Sequence, residues 1–156
     1  IPDTAELGGT IRTYDETLRH EIKYRTKEIA SGIAAAFCAS ATTTFGSSCP
    51  TLLNDAALSE TTVKYSKELL GEGKAFSTAQ IASMSDGKAS KATGSEDFAY
   101  ISQEVPSIMI ALAAGRPDDG YCYQQHHPKA KFDEEALTIG SSIYAYTAMR
   151  WLEEHK

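Results

Sequence analysis

TAELGGTIRTYDETLRHEIKYRTKEIASGIAAAFCASATTTF, residues 4–45, is the stretch on which the fold turns. Its first part alternates as a half-buried strand does: Ala5, Leu7, Gly9 and Ile11 share one face, Glu6, Thr10 and Arg12 the other. Asp15 follows as a helix N-cap, with Glu16 in the first turn, where the helix dipole favours negative charge. Leu18, Ile22, Ile29, Ile33 and Phe37 then fall on one stripe at helical spacing, the pattern of a helix lying on a sheet. Residues 40–45, with three consecutive threonines, read as a second strand. The expectation for residues 1–48 is therefore a strand–helix–strand unit. Such a unit cannot cover both faces of its sheet and should belong to something larger.

Beyond it, Cys49-Pro50 to Asn54 reads as a turn or linker and marks a boundary, which leaves 49–156 as a second region. Asp55 is expected to cap a helix that runs to Leu70 and stops at Gly71. Residues 71–93 lack a clear period and read as loop with one short strand. Ser95 should cap a short helix from Glu96 to Glu104, closed by Pro106. SIMIALA, Ser107 to Ala113, is a near-continuous apolar run, as in a strand covered on both faces. A polar loop from Gly115 to Lys131 comes next, and then a last helix, capped at Asp133 and running to about Glu154.

Composition narrows the function classes. With 42% hydrophobic and 23% charged residues in 156, this is the make-up of a soluble globular protein. The longest apolar run, Ile108 to Ala114, is too short to span a bilayer. A net charge of -6 argues against nucleic acid, whose phosphates need a basic footprint. No signal peptide is readable, and the chain opens on Ile1 rather than Met, in what reads as mid-strand, so a processed or truncated product is expected. Three cysteines, Cys38, Cys49 and Cys122, match no zinc-knuckle or CxxC spacing. Free thiols in a reducing cytoplasm are the plainer reading, with a Cys38–Cys49 bridge the alternative.

Four features bear on chemistry. His126-His127-Pro128 sits in a loop between a strand and a capped helix, where α/β proteins place functional groups. Imidazole is the commonest metal ligand, and a following proline stiffens the backbone that aims it. Adjacent histidines rarely reach one ion together, so one would ligate and the other orient or contact substrate; a pair of solvent-facing histidines is the bland alternative. Gly94-Ser95-Glu96-Asp97-Phe98-Ala99 combines a permissive glycine with two carboxylates at a helix start, where capping alone also explains them. Asp133-Glu134-Glu135 is best read as an acidic first turn. Arg12 has the geometry to grip a carboxylate, though an exposed strand arginine is usually just solvated. One HHP cannot by itself hold a zinc ion that needs three or four ligands.

Taken in order, IPDTAELGGTIRTYDE (Ile1–Glu16), GSEDFAY (Gly94–Tyr100), a buried strand, HHPKAKFDEEAL (His126–Leu137) and a closing helix resemble the metallo-amidohydrolases and metallopeptidases. That family comprises aminoacylases, hippurate hydrolases, indole-acetyl-amino-acid hydrolases and related carboxypeptidases, and the resemblance covers almost the whole chain. It implies an α/β fold: the second half of a ferredoxin-like lid over 1–48, followed by the C-terminal part of an α/β metallopeptidase catalytic domain over 49–156. It also implies homodimerisation through the lid and two divalent metal ions in the intact enzyme, zinc in most members, manganese or cobalt in others, with none held by this chain alone. The family's C-terminal metal ligand, in a His-x-Pro motif, maps onto His126. Gly94, Ser95, Glu96 and His127 inherit substrate-binding roles. The other ligands, the general-base glutamate and the lid histidine have no counterpart here, so no catalytic residue is assigned in this chain. The resemblance therefore implies a C-terminal fragment of an enzyme that hydrolyses N-acyl amino acids or small peptide-like amides. Such a fragment would be inactive alone, cytoplasmic, and independent of membrane and nucleic acid. The alternative is a non-catalytic assembly or dimerisation module.

Overall fold

The computed structural model describes residues 2–85 and 94–156. Among them lie five α-helices, a 3-10 turn at Pro117–Asp119, and no β-strand. The helices are α1 (Glu16–Ala36), α2 (Ala56–Leu70), α3 (Thr78–Met84), α4 (Phe98–Glu104) and α5 (Glu135–Glu154). The chain divides into two compact units, Ile1–Leu53 with Lys91–Val105, and Asn54–Ser90 with Pro106–Lys156.

This overturns the strand–helix–strand reading, the ferredoxin-like lid and the α/β class. The segments 4–14, 40–45 and 107–113 form no strand. Alternation states which side chains want cover, but a strand exists only where its N–H and C=O groups meet a second strand. No ladder forms along 4–14, and Leu7, the centre of its apolar face, is 94% exposed. SIMIALA finds a different set of partners. The Asn54 carboxamide bonds Met109 twice, accepting from its N–H at 2.9 Å and donating to its carbonyl at 3.3 Å, as a neighbouring strand would. Ser107 accepts from the Asp55 amide at 2.9 Å, and Ala114 from the Asp133 amide at 3.0 Å. Leu112 presses on α5 where Gly140 carries no side chain; a Cβ there would sit 3.0 Å from its terminal methyl.

In the first unit α1 starts as its sequence demands: Asp15 Oδ1 accepts from the Leu18 amide at 2.7 Å. Its apolar stripe, however, is largely exposed, with Ile22 alone half-covered, and no residue of α1 is buried. The segment 48–53 is clasped from two sides. Glu16 accepts from the Thr51 amide at 2.7 Å while its other oxygen pairs with Arg19, whose Nε lies 2.8 Å away. Burial pushes the Glu16 carboxyl up, but the Arg19 and Thr51 donors outweigh it and hold the group below its usual range. From the other side, α4 contributes the Tyr100 hydroxyl to the Ser48 carbonyl, Gln103 to the Thr51 carbonyl at 2.7 Å and Ser102 Oγ to the Leu53 amide at 3.2 Å. Ala99 is the buried residue at that contact. The Asp97-to-Phe98 start of α4 lies two residues beyond the one expected, and Ser95 does not cap it.

In the second unit α2 runs from its Asp55 cap to Gly71, which takes φ +100. It packs antiparallel against α5, with Lys64 pairing to Glu154 at 3.5 Å and Arg150 to Glu68 at 3.3 Å. Thr62, Tyr65 and Ser66 are the buried residues of α2, and Ala136 and Ile143 those of α5. Tyr65 is fully buried, its hydroxyl aimed at the Glu154 carboxylate without reaching full hydrogen-bond geometry. Burial first, and Glu154 second, push its pKa up to about 12. The helix α3 replaces the loop expected over this part of 71–93. It opens with a capping box in which Ser77 Oγ accepts from the Gln80 amide and Gln80 accepts from the Ser77 amide. The remainder of that stretch, 86–93, lies outside the described residues. All three cysteines are free, and the Cys49 thiol donates to the Glu96 carbonyl at 2.9 Å.

Candidate functional site

The HHP loop is built from turns, each set by its residues. Gly115 takes φ +127 with the Tyr121 ring folded over it, so any Cβ there would collide with the ring. The 3-10 turn ends at Gly120 in the left-handed region, and the Tyr121 amide returns to the Arg116 carbonyl at 3.1 Å. The His127 amide then donates to the Gln124 carbonyl at 3.1 Å, closing a four-residue turn over Gln124–His127. His126 is the third residue of that turn, at φ +73. A single positive φ there is type II geometry, which ordinarily selects glycine or asparagine. The next turn begins at once: the Ala130 amide donates to the His127 carbonyl at 2.9 Å, with Pro128 in the second position that its fixed φ suits.

The two histidines consequently differ in environment. His126 is exposed and makes no hydrogen bond, ion pair or ring contact with the described residues. A bulky side chain held in the left-handed region is the kind of local strain that collects at functional positions. The His127 ring is engaged on two sides. Its Nδ1 accepts from the Lys129 amide at 3.0 Å, and its face stacks on Tyr123 with centroids 4.4 Å apart and planes 12° from parallel. Lys129 Nζ lies 5.9 Å from the Tyr123 ring centre. Tyr123 and Lys129 were not singled out by the sequence. Pro128 signalled a turn, but nothing in the residue order showed that an aromatic four positions earlier would stack on the second histidine.

Gly94, Ser95 and Glu96 belong to the first unit, His126 and His127 to the second. Gly94 and Ser95 are exposed, and a Cβ on Gly94 would meet open space, so sterics do not demand glycine there. Glu96 turns back on its own helix: Oε1 accepts from the Phe98 amide at 3.3 Å, and its carbonyl from the Ala99 amide at 3.0 Å. The Glu96 carboxylate thus bonds the first amide of α4, a contact the expected Ser95 cap does not make. At α5, Asp133 Oδ1 accepts from the Glu135 amide at 3.0 Å, so this acidic turn also closes on itself. Arg12 is exposed in the segment before α1.

The donor chemistry sets a limit on metal binding. Among the described residues no group of three or more His, Cys, Asp and Glu side chains is placed to hold an ion. The exposed His126 imidazole fits one ligand position, and the remaining positions would need other donors. No helix among the described residues is long and apolar enough to cross a membrane.

The family model for peptidase family M20/M25/M40 matches residues 15–150, and the chain belongs to that family. It is similar to an N-acetylcysteine deacetylase of Bacillus subtilis, 28% identical over 156 residues, covering 100% of this chain and 36% of that protein. It is also similar to the IAA-amino acid hydrolase ILR1-like 6 of Arabidopsis thaliana, 27% identical over 98% of this chain and 32% of the relative. A thermostable carboxypeptidase 1 of Saccharolobus solfataricus is 28% identical over 97% of the chain and 35% of its own length. The chain thus spans about a third of the length of these curated relatives. No solved structure matches it.

Proposed function

We propose that this chain is the C-terminal part of a metal-dependent amidohydrolase acting on N-acyl amino acids or small peptide-like amides, and that it turns nothing over alone. The single observation that carries this reading is His126: an imidazole with no partner among the described residues, exposed, and held at φ +73 by a turn that would relax with glycine. The names of the relatives, a deacetylase of an N-acetyl amino acid and a hydrolase of an amino-acid conjugate, support the substrate class. In this reading His126 holds one of two divalent ions, zinc by preference with manganese or cobalt as substitutes, through a neutral ring nitrogen. The ions supply ionisation of water and polarisation of the scissile carbonyl. His127, Gly94, Ser95 and Glu96 contact substrate. Residues 1–48 belong to a lid region through which the protein dimerises, and 49–156 to the catalytic region.

The purified chain, incubated with hippurate or an N-acetyl amino acid and saturating zinc, is expected to release no amine. Chelator-sensitive turnover would overturn the claim of inactivity. In the full-length protein, His126→Ala should abolish most activity and lower bound metal; full activity with both ions retained would remove His126 from the site. The competing reading, an assembly module without catalysis, draws on the uncovered stripe of α1. It predicts a dimer by light scattering and no amidase activity even in the full-length protein.

A further inference from the structure

The two histidines of HHP are adjacent, yet the structure gives their rings different hydrogen-bonding capacities. A neutral imidazole carries one N–H and one lone pair, and whichever nitrogen accepts a hydrogen bond leaves the proton on the other. His127 Nδ1 accepts from the Lys129 amide at 3.0 Å, so its proton resides on Nε2. The nitrogen that faces outward from this contact is therefore a donor with no lone pair for a metal ion. The Tyr123 ring, parallel to it at 4.4 Å, opposes the swing about χ2 that would take Nδ1 away from the Lys129 amide. The backbone helps: the His127 amide and carbonyl are both used, by Gln124 and Ala130, so the residue is fixed from three directions.

We propose that Tyr123 is a positioning residue which, with the Lys129 amide, locks His127 as the Nε2–H tautomer. His127 then donates a hydrogen bond to an acceptor oxygen of the substrate, a carbonyl or carboxylate of the amide, and is excluded from metal ligation. This assignment rests on the amidohydrolase reading for its ligand and deepens it. It divides the pair by chemistry, His126 offering a lone pair and His127 an N–H. The Lys129 ammonium over the Tyr123 face adds a second restraint on the stacked ring.

The lock is tested without metal or activity, by ring nitrogen–proton correlation NMR on the histidine-labelled chain. His127 should show a pyrrole-type Nε2 and a pyridine-type Nδ1, while His126 shows tautomer-averaged signals. Tyr123→Phe should leave the His127 pattern unchanged, and Tyr123→Leu should move its Nδ1 signal toward the averaged position. A His127 ring protonated on Nδ1, or a Tyr123→Leu spectrum identical to the parent's, overturns the lock and leaves the assignment of His126 standing. The donor role is tested in the full-length enzyme. His127→Gln, which keeps an N–H near the same place, should hold KM within a few-fold, and His127→Leu should raise it on the order of tenfold. Metal content should match the parent's in both. Metal loss in His127→Leu, or equal KM in the two variants, refutes the donor role. A full-length parent without amidase activity refutes the amidohydrolase reading instead, whatever the tautomer.

Discussion

α1 and α5 are nearly the same length, 21 and 20 residues, and both carry apolar residues at helical spacing, yet they meet different fates. α5 packs against α2, whose Tyr65 is wholly enclosed, and buries Ala136 and Ile143. α1 buries nothing; Leu18 is 48% exposed, Ile29 and Ile33 more than half, and Phe37 just past its end 81%, with only Ile22 of the stripe partly covered. Periodicity records which face of a helix needs cover. It does not record whether the same chain supplies it. α5 answers its pattern only in part, since Leu137, Tyr144, Met149 and Leu152 stay exposed, whereas α1 leaves its pattern open except at half-covered Ile22.

The strongest way to break this contrast is to truncate one side chain on each helix pair. Tyr65→Ala should lower the urea stability of the second unit by about 3–5 kcal/mol, the usual cost of deleting a buried ring. Ile33→Ala, on the open stripe, should change it by no more than about 0.5 kcal/mol. Comparable losses, followed by circular dichroism, would show that α1 is covered after all. Tyr65 also gives the seam a pH signature. Its folded pKa, about 12, lies above the ordinary tyrosine value near 10, so the neutral form is favoured by folding. The stability it contributes is complete below about pH 10 and lost as pH rises through about 12. Alkaline unfolding of the parent should accompany tyrosinate absorbance in that window, and Tyr65→Phe should remove that component of the pH dependence.

A smaller effect is expected in the loop that carries the histidines. Gly115→Ala places a Cβ at φ +127 and into the Tyr121 ring, and should cost roughly 1–3 kcal/mol. The same change at Gly120, at φ +92 but in open space, should cost less, because only the backbone term remains. Thermal melts of the two variants separate the collision from the conformation. Equal losses would mean that the Tyr121 ring gives way freely and does not shape the loop.

How much of this was legible in the sequence depended on how far apart the interacting groups lie. Caps were readable, since Asp15 and Asp55 bond amides three residues ahead. The start and the Gly71 stop of α2 came from such local rules. The capping box at Ser77 and Gln80 is present in the residue order, but the surrounding stretch lacks the hydrophobic period that would mark it as a helix start. The strands failed for the opposite reason. Residues 4–14 alternate well, but a ladder needs a partner segment, and alternation names none. At the site, Pro128 after two histidines pointed to a stiffened turn. The exposure of His126 and the stacking of Tyr123 on His127 depend on backbone dihedrals that residue types do not encode. Glu96 shows the same limit: its position suggested a helix start, but not that its carboxylate would accept from the Phe98 amide.

The finest test of the comparison lies in the two caps. Asp15 and Asp55 make the same bond, 2.7 Å to Leu18 and 2.8 Å to Leu58, so removing either carboxylate costs the same local interaction, about 1 kcal/mol. Where that loss appears should differ. α2 is packed against α5, and its start is tied further by the Asp55 amide to Ser107, so Asp55→Ala should shift the cooperative transition of the second unit. α1 buries no residue, and a helix with little tertiary cover responds to a lost cap by fraying. Asp15→Ala should therefore speed amide exchange across the first turns of α1 and leave the cooperative midpoint in place. Glu16 offers a graded version of the same experiment. Its carboxyl is held below the ordinary range, so its contribution is present above the unfolded value near 4.3 and lost as pH falls through the folded one. Acidification should mimic Asp15→Ala at the α1 start, with Thr51 released from its bond to Glu16 at the same time. If Asp15→Ala instead moves the midpoint as far as Asp55→Ala does, α1 shares a cooperative core that its exposed stripe gives no sign of.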